Sequence, residues 1–539
     1  MNVIEILDET ALRSPDETAL IWGAPGKEHM MTFGALLDRS RRLATLFREH
    51  GLGQGDGVVI FLPMSGALYE VMAAVLRLGM IAVFVDPSAW RPALEQALAH
   101  IPVRGFIGTP AACVWRWFTP ALRHIPKAFV AGPRIPGAIP LREAQQSPPL
   151  DAAADLAAAA TALVTFTSGS TGISKGVLRS HGTLAATHGA LSRHLGLQPG
   201  QVQLATMPFF VFANLASGTT SVIPQLDLRS PARADPASLL RAIRAWNVTG
   251  IVASPFLMQC LADECAMQKR VLASLRNAFV GGAPVLPAVL DKIAAMAPDA
   301  AVAALYGATE AEPIALVRHD EWGAKERQAA SSGGGVLAGR PIDAISLRVL
   351  VDRWVRPIEP RASRVFEGEQ VPTGTEGEIV VSGAHVSAGY LGDEGNRENK
   401  IIVDGALWHR TGDAGYLDDA GRLWLVGRCA GGVPGESGVT YPLRIEAALS
   451  GTPGIARATL VQHLTRRTLV VETPSDTDSF NAGKILERIP WCSVDEVVRV
   501  RRIPLDRRHN AKVNLPSLVE LLDKQRWLAR VSFPVDTGF

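Results

Sequence analysis

A loop dense in glycine and hydroxyl residues, spanning positions 165–176, constrains this chain more than any other stretch of its sequence. The apolar run 162–164 precedes it, which predicts a short strand leading into the loop. The glycines let the backbone turn back and present successive N–H groups to one anion, while the hydroxyls and Lys175 add donors and charge. A P-loop needs Gly directly before its Lys, whereas Ser174 stands there. The stretch therefore predicts a phosphate-binding loop of another class, and its lysine and leading strand argue against a flexible linker.

Length and composition indicate a compact protein of more than one domain. The chain has 539 residues, of which 47% are hydrophobic and 20% are charged, so it can bury a large core and is not disordered. The formal net charge of +2 is too close to zero to indicate nucleic acid or an anionic membrane surface as a partner. The five cysteines are scattered without metal-ligand spacing, which fits a reducing cytoplasm.

The N-terminal sequence and the apolar stretches predict no membrane segment. The first residues are acidic and lack the basic-then-apolar order of a signal peptide. The longest apolar stretch, 71–85, is interrupted by Arg77 and Gly79 and is too short to span a bilayer. We therefore expect a cytoplasmic protein with no integral membrane segment.

The first 160 residues alternate helical patterns with short apolar runs, which predicts an α/β fold with a mainly parallel sheet and helices on its faces. Residues 33–50 carry apolar side chains at helical spacing and are followed by glycines that end a helix. Residues 57–62 and 81–85 are typical of buried strands, and 66–78 of a helix between them. The proline-rich stretch 132–150 is expected to be a surface connection.

Two later stretches carry side chains suited to a nucleotide. The ring of Tyr306 can stack on adenine, the hydroxyl of Thr309 can bond the α-phosphate, and the carboxylate of Glu310 can hold Mg²⁺. Farther on, Asp413 can accept hydrogen bonds from both ribose hydroxyls, and Arg428 can donate to the same sugar. The order of these stretches after the loop favours one shared nucleotide site.

The chain changes character beyond Arg428. Glycines cluster between positions 431 and 438, which predicts a hinge before a small α/β unit. We therefore expect an N-terminal domain at 1–427, a hinge at 428–432 and a C-terminal domain at 433–539.

Taken together, these stretches resemble the adenylate-forming superfamily, which includes acyl-CoA synthetases and the adenylation domains of peptide synthetases. The resemblance runs from Thr32 to Lys512 and implies a large N-terminal domain of mainly parallel sheets flanked by helices, plus a small mobile α+β C-terminal domain. It implies ATP and Mg²⁺ as cofactors, with Glu310 as the metal ligand. It also implies that Lys512 bonds the carboxylate and α-phosphate oxygens during adenylation, and that Thr167, Glu310 and Lys512 are the catalytic residues.

The resemblance extends the candidate site to residues without a chemical signal of their own. The implied ATP- and AMP-binding residues are Thr167, Ser168, Gly169, Ser170, Thr171, Gly172 and Lys175 in the loop, Gly282, Ala283 and Pro284 in a turn laid against adenine, Tyr306, Gly307 and Thr309, and Asp413 and Arg428. The implied wall of the acyl pocket is Phe209, Phe210, Val211 and Phe212, although ordinary core packing explains that aromatic cluster equally well. Most acyl-CoA synthetases carry His where Val211 stands, so this wall is less polar than the commonest pattern. His409 has no independent signal and is treated as structural.

Within the superfamily the chain is most similar to the β-lactone synthetases of the bacterial olefin pathway. Local strings carry this similarity: 85–87 with 106–110, 208–212, 221–224, 306–310 and, above all, Arg508-His509-Asn510-Ala511-Lys512. The chain departs from these relatives after Arg428, where 429–434 lacks their basic residues and also lacks the lysine-rich segment of CoA-forming members.

The resemblance implies two chemical steps. A fatty acid, expected to be a 2-alkyl-3-hydroxy acid, is activated by ATP as an acyl-AMP with release of pyrophosphate, and its own β-hydroxyl then closes a β-lactone and releases AMP. An alternative is transfer of the adenylate to CoA or to a carrier protein, in which CoA is a further cofactor. A different class, an adenylate-binding protein without turnover, is supported only by the altered hinge. A Ser/Lys amidase using Ser168 or Ser170 leaves the later stretches without a role. Partner enzymes of a fatty-acid-derived pathway, or a carrier protein, remain open.

Overall fold

The computed structural model describes residues 1–24, 26–85, 90–168, 174–225, 235–354, 356–392, 394–436, 438–473, 480–506 and 511–533. The helices are α1 (Ile4–Arg13), α2 (Phe33–Glu49), α3 (Gly66–Arg77), α4 (Trp90–His100), α5 (Pro110–Trp117), α6 (Pro120–Arg123), α7 (His181–Leu195), α8 (Pro208–Ala216), α9 (Pro236–Ala245), α10 (Pro255–Met267), α11 (Pro287–Met296), α12 (Ala324–Ala329), α13 (Ser363–Gly368), α14 (Glu394–Asn399), α15 (Pro442–Leu449), α16 (Ala482–Leu486) and α17 (Leu515–Asp523).

The strands follow the same numbering in chain order. They are β1 (Thr18–Ala24), β2 (Lys27–Thr32), β3 (Gly57–Phe61), β4 (Ile81–Phe84), β5 (Val103–Gly108), β6 (Lys127–Val130), β7 (Ile139–Pro140), β8 (Thr161–Ser168), β9 (Ser174–Ser180), β10 (Val202–Ala205), β11 (Thr220–Pro224), β12 (Gly250–Ala253), β13 (Asn277–Gly281), β14 (Ala301–Ala308), β15 (Ala311–Arg318), β16 (Val336–Pro341), β17 (Ser346–Leu350), β18 (Gly377–Ser382), β19 (Gly389–Tyr390), β20 (Lys400–Val403), β21 (Ala406–Leu417), β22 (Leu423–Arg428), β23 (Val433–Gly435), β24 (Gly438–Thr440), β25 (Arg457–His463), β26 (Arg466–Glu472), β27 (Glu496–Val500) and β28 (Ala529–Ser532).

Two large sheets carry the candidate site. Within the described ranges, the larger has 14 strands in the order β17-β18-β21-β22-β16-β15-β14-β13-β12-β10-β11-β1-β2, with β20 paired to β21. Its stretch from β1 to β14 is parallel, whereas β14 to β18 and their neighbours pair antiparallel. The second sheet has the order β19-β9-β8-β4-β3-β5-β6-β7 and is parallel from β8 to β7. The predicted α/β class, with mainly parallel sheets and helices, is confirmed.

The elements predicted in the first domain form where their patterns place them. The helix expected at 33–50 is α2, and Thr32 begins it by accepting a hydrogen bond on its hydroxyl from the backbone N–H of Ala35. The strand, helix and strand expected at 57–62, 66–78 and 81–85 are β3, α3 and β4. The stretch 132–150, expected to be a surface connection, is mostly exposed or half-buried and contains β7 and a short 3₁₀ helix.

A four-stranded sheet, β25 to β28, forms the C-terminal unit with α16 and α17. It has apolar cores of its own, one of which includes Leu460, Leu469 and Val497. The helix α15 joins this unit to the larger part, because its Leu443 and Ala447 pack into the core of the large sheet while other side chains of α15 pack into the C-terminal core. The predicted boundaries at 427 and 433 fall just before this shared helix and stay a prediction.

No helix in the described portion of the chain combines the length and the apolar character that crossing a bilayer would require.

Candidate active site

The predicted phosphate loop lies between two antiparallel strands of the second sheet. β8 runs to Ser168 and β9 resumes at Ser174, with Thr167 paired to Lys175 across the hairpin. Positions 165–168 therefore continue the strand, which corrects the expectation that the loop begins at 165; the β-branched and aromatic residues there favour pairing with β9. Gly169, Ser170, Thr171 and Gly172 lie outside the described residues, as do the side chains of Thr167 and Ser168. Their phosphate-binding roles stay predictions.

Lys175 lies on β9 of this hairpin, and its side chain is largely buried. Its Nζ donates to Oε2 of Glu398 at 2.7 Å and lies 5.9 Å from the centre of the Tyr390 ring. Glu398 belongs to α14, more than 200 positions away in sequence. The fold thus fixes the position of the lysine that the sequence singled out.

The turn between β14 and β15 presents the second predicted stretch. Tyr306 and Gly307 lie near the end of β14, and Thr309 and Glu310 form the turn before β15. The hydroxyl of Tyr390 donates to Oε1 of Glu310 at 2.8 Å. This turn therefore holds a half-buried carboxylate in a fixed orientation.

The third predicted stretch meets the second directly. The phenol of Tyr306 donates to Oδ2 of Asp413 at 2.8 Å, and Nη1 of Arg428 donates to Oδ1 of the same carboxylate at 2.6 Å. Asp413 and Arg428 are paired across β21 and β22, which explains their spacing in sequence. The Asp413 carboxylate raises the pKa of Arg428, and burial together with Asp413 raises the pKa of Tyr306, so the arginine stays charged and the phenol stays protonated.

The predicted adenine turn lies beside Tyr306. β13 ends at Gly281, which is paired with Leu305 of the neighbouring strand β14. Gly282 comes directly after Gly281, and Tyr306 comes directly after Leu305. Gly282 has φ +90°, a conformation that favours glycine. The turn that continues through Ala283 and Pro284 can therefore bring backbone close to a ring stacked near Tyr306.

The predicted acyl-pocket residues all lie on α8 but face different cores. Phe210 packs with the larger sheet, Val211 and Phe212 pack toward α3 and α7, and Phe209 contacts both groups. Phe209 and Phe212 also line a small apolar cavity with Leu76 of α3 and other apolar side chains. The four residues therefore do not share one wall, and their role in binding an acyl chain stays a prediction.

Several side chains of this region carried no sequence signal. Arg179 of β9 donates twice to the carbonyl of Thr309, at 3.1 and 2.6 Å, and its guanidinium lies 4.8 Å from the centre of the Phe209 ring. It thus ties the predicted phosphate turn to α8. Nothing in its neighbourhood in sequence distinguishes Arg179 from a surface arginine, because its partners come from distant strands and helices.

Lys400 and His409 form a buried pair of bases behind Tyr390. Nζ of Lys400 donates to the carbonyl of Ser387 at 2.6 Å, and burial lowers the pKa of Lys400 to about 7. His409 bonds the carbonyl of Asn399 at 3.1 Å, and burial with the nearby Lys400 charge lowers its pKa well below the usual value. His409 therefore stays neutral at ordinary pH.

Lys512 lies at the surface of the C-terminal unit, on a turn organised by Asp506. Oδ1 of Asp506 accepts from the backbone N–H groups of Ala511 and Lys512, at 3.1 and 2.8 Å, and the carbonyl of Lys512 accepts from the Asp506 N–H. Arg508, His509 and Asn510 of the same string lie outside the described residues. The role of Lys512 in adenylation stays a prediction.

The acidic residues fit a cation that arrives with a nucleotide. In the ranges that the structure describes, no group of three or more His, Cys, Asp or Glu residues could hold a metal ion alone. Mg²⁺ bound together with substrate phosphates needs only one or two protein carboxylates. Glu310, beside the predicted phosphate hairpin, would supply one such carboxylate.

Comparisons with known proteins show the family of this chain. A family model described as AMP-binding enzyme matches residues 7–391. The chain is 32% identical to an olefin beta-lactone synthetase of Xanthomonas campestris pv. campestris, over 97% of this chain and 98% of that protein. It is 31% identical to a protein of the same name from Stenotrophomonas maltophilia, with 96% and 97% covered. The ATP-bound structure of MatB from Rhodopseudomonas palustris has the same fold, with a TM-score of 0.78 at 20% identity over 98% of this chain and 100% of that one. This chain therefore belongs to the AMP-binding enzymes, the adenylate-forming ligases and synthetases that its sequence resembles.

Proposed function

We propose that this enzyme activates a 2-alkyl-3-hydroxy fatty acid with ATP and then closes the acyl-AMP to a β-lactone. The observation that carries the first step is the hydrogen-bonded set of Tyr306, Asp413 and Arg428. It gathers an aromatic ring, a carboxylate and an arginine beside the Gly282 turn, and these groups could stack on adenine and bond the ribose hydroxyls.

In the first step, a carboxylate oxygen of the acid bonds to the α-phosphorus while the bond from that phosphorus to pyrophosphate breaks. Catalysis of such a transfer is mainly positioning and neutralisation of charge. Glu310 would hold the Mg²⁺ ion, which neutralises phosphate charge when bound. Lys512 would donate to the oxygens of the carboxylate and α-phosphate, and the loop with Thr167 would hold the phosphates.

In the second step, the β-hydroxyl oxygen bonds to the acyl carbon, the bond from that carbon to AMP breaks, and the hydroxyl proton is lost. Both reacting groups belong to one molecule, so the site need only hold them close and exclude water. The two relatives named olefin beta-lactone synthetase, similar over almost the whole chain, support this step.

The alternative second step transfers the acyl group to the thiol of CoA or a carrier protein. The chain lacks the lysine-rich segment that CoA-forming members carry after the position of Arg428, which disfavours CoA. Other enzymes of a fatty-acid-derived pathway would supply the acid and consume the product. The five cysteines are unpaired thiols, which supports a reducing, cytoplasmic location.

The test is incubation with ATP, Mg²⁺ and a 2-alkyl-3-hydroxy fatty acid without any thiol, followed by proton NMR of the extract. Ring protons of a β-lactone, absent when ATP is omitted, are the expected result. Accumulation of adenylate or of its hydrolysis products alone would contradict cyclisation, and conversion on adding CoA or a carrier protein would establish the thiol ligase. No release of pyrophosphate with any fatty acid would indicate an adenylate-binding protein without turnover.

A further inference from the structure

Tyr390 lies at the junction of the phosphate hairpin and the Glu310 turn. It is 4% exposed and belongs to β19, which pairs with β9 at Val177 and Leu178. Its backbone N–H donates to Oδ1 of Asn396 at 2.8 Å, and the amide of Asn396 donates back to its carbonyl at 3.1 Å. The backbone of Tyr390 is thus fixed from both sides.

The segment that carries Tyr390 holds Glu310 at two points. The backbone N–H of Ser387 donates to the carbonyl of Glu310 at 2.7 Å, and the Tyr390 hydroxyl donates to its carboxylate at 2.8 Å. Lys400 fastens this segment in turn through its 2.6 Å bond to the carbonyl of Ser387. Both the main chain and the side chain of Glu310 are therefore oriented by residues 387–390.

The ring of Tyr390 also faces the amino groups of two lysines. Nζ of Lys175 lies 5.9 Å from the ring centre, within the range of attraction between a cation and an aromatic ring, and Nζ of Lys400 lies 5.6 Å from it. One side chain therefore contacts both the predicted metal carboxylate and the lysine of the phosphate loop.

We propose that Tyr390 is a positioning residue for the metal and triphosphate end of the site, holding the Glu310 carboxylate in the orientation that binds the divalent cation of ATP while keeping Lys175 beside it. This inference rests on the proposed adenylation. A charged acceptor that loses one hydrogen bond becomes freer to rotate, and its affinity for a cation falls. The effect of the hydroxyl is therefore expected in metal-dependent nucleotide binding and not in nucleotide binding at large.

The test compares the parent with Tyr390→Phe, which keeps the ring and its contacts with the two lysines. Binding of α,β-methylene ATP, which cannot release pyrophosphate, is measured by calorimetry with and without Mg²⁺. We expect the gain in affinity caused by Mg²⁺ to fall about tenfold in Tyr390→Phe, the size of one hydrogen bond to a charged group, with little change in binding without metal. The matched control is Tyr416→Phe. The hydroxyl of Tyr416 donates to the carbonyl of Gly334 at 3.0 Å, and its removal should leave the Mg²⁺-dependent gain in affinity unchanged.

A double-mutant cycle tests whether the hydroxyl acts through Glu310. In a Glu310→Gln background, Tyr390→Phe should cause no further loss of the Mg²⁺-dependent gain, because the two residues act on one interaction. The proposal would be overturned if Tyr390→Phe left the Mg²⁺-dependent gain in affinity unchanged. It would also be overturned if Tyr390→Phe reduced that gain equally in the parent and in the Glu310→Gln background. If the parent failed to bind the analogue, the proposed adenylation would be wrong. If the parent binds the analogue tightly with Mg²⁺ but Tyr390→Phe behaves like the parent, only the inference about Tyr390 is wrong.

Discussion

At the scale of one residue, Lys512 carries the most demanding expectation of the site. Its backbone is fixed by Asp506 at the surface of the C-terminal unit. If its ammonium donates to the reacting oxygens, Lys512→Ala should slow adenylation by about 10² to 10³, the usual effect of losing one preorganised donor. The measurement is the rate of pyrophosphate release at saturating ATP and fatty acid.

The control for Lys512 is another lysine of the same unit. Lys524 pairs with Glu520 one turn away on the exposed surface of α17, so Lys524→Ala should leave the rate unchanged. Equal rates of pyrophosphate release for Lys512→Ala and the parent would show that Lys512 takes no part in adenylation.

At the scale of elements, sequence patterns located some strands and helices well and others poorly. The helix at 33–50 was predictable because its apolar face repeats at helical spacing and Thr32 caps its start. The helix α8 was not, because residues 208–216 are almost wholly apolar and buried on both faces, which leaves no amphipathic period. The chemistry of Asp413 and Arg428 marked both residues as candidates, but their pairing across β21 and β22 is seen only in the structure.

The residues that sequence reasoning missed depend on pairing between distant segments. Tyr390 reaches Glu310 only because β19 pairs with β9, more than 200 positions earlier. Arg179 likewise bonds the main-chain carbonyl of Thr309, 130 positions later, whereas Lys400 bonds the carbonyl of Ser387, 13 positions earlier. Contacts of this kind leave no local periodicity, so a single sequence carries no sign of them.

The buried start of β20 gives a prediction about pH. Lys400 has a pKa of about 7 in the folded protein and about 10.4 in an unfolded chain, so between these values the unfolded state binds more protons and the free energy of unfolding rises with pH. Lys400→Met removes this contribution. The stability of Lys400→Met relative to the parent should therefore fall by about 2 kcal/mol between pH 7.5 and 9.5.

Urea unfolding of the parent and of Lys400→Met at the two pH values measures this difference. The hydrogen bonds lost in Lys400→Met are lost at both pH values, so their contribution cancels when the two differences are compared. Lys524→Met, at an exposed site, should show the same stability difference from the parent at both pH values. A constant difference for Lys400→Met would mean that Lys400 titrates as an exposed lysine does.

At the scale of the whole molecule, α15 connects the C-terminal unit that carries Lys512 to the sheet that carries the predicted nucleotide-binding residues. Arg444 of α15 donates to the carbonyl of Gly333 at 2.5 Å and pairs with Glu376 at 2.9 Å. Its guanidinium also lies 4.7 Å from the centre of the Trp491 ring in the C-terminal unit. One side chain thus bonds the larger part and packs against the smaller.

This arrangement predicts that Arg444 controls how firmly the C-terminal unit docks. Arg444→Ala should raise the hydrogen-exchange rate of amides in α15 about tenfold, because bonds to a charged, partly buried group are lost. If Lys512 acts in adenylation, Arg444→Ala should also slow pyrophosphate release, because a less firmly docked unit holds Lys512 less firmly relative to the large sheet. The control is Arg488→Ala, which removes an exposed bond to Thr452 within the C-terminal unit. Unchanged exchange in α15 would show that the apolar contacts of Leu443 and Ala447 hold the two parts together without the arginine.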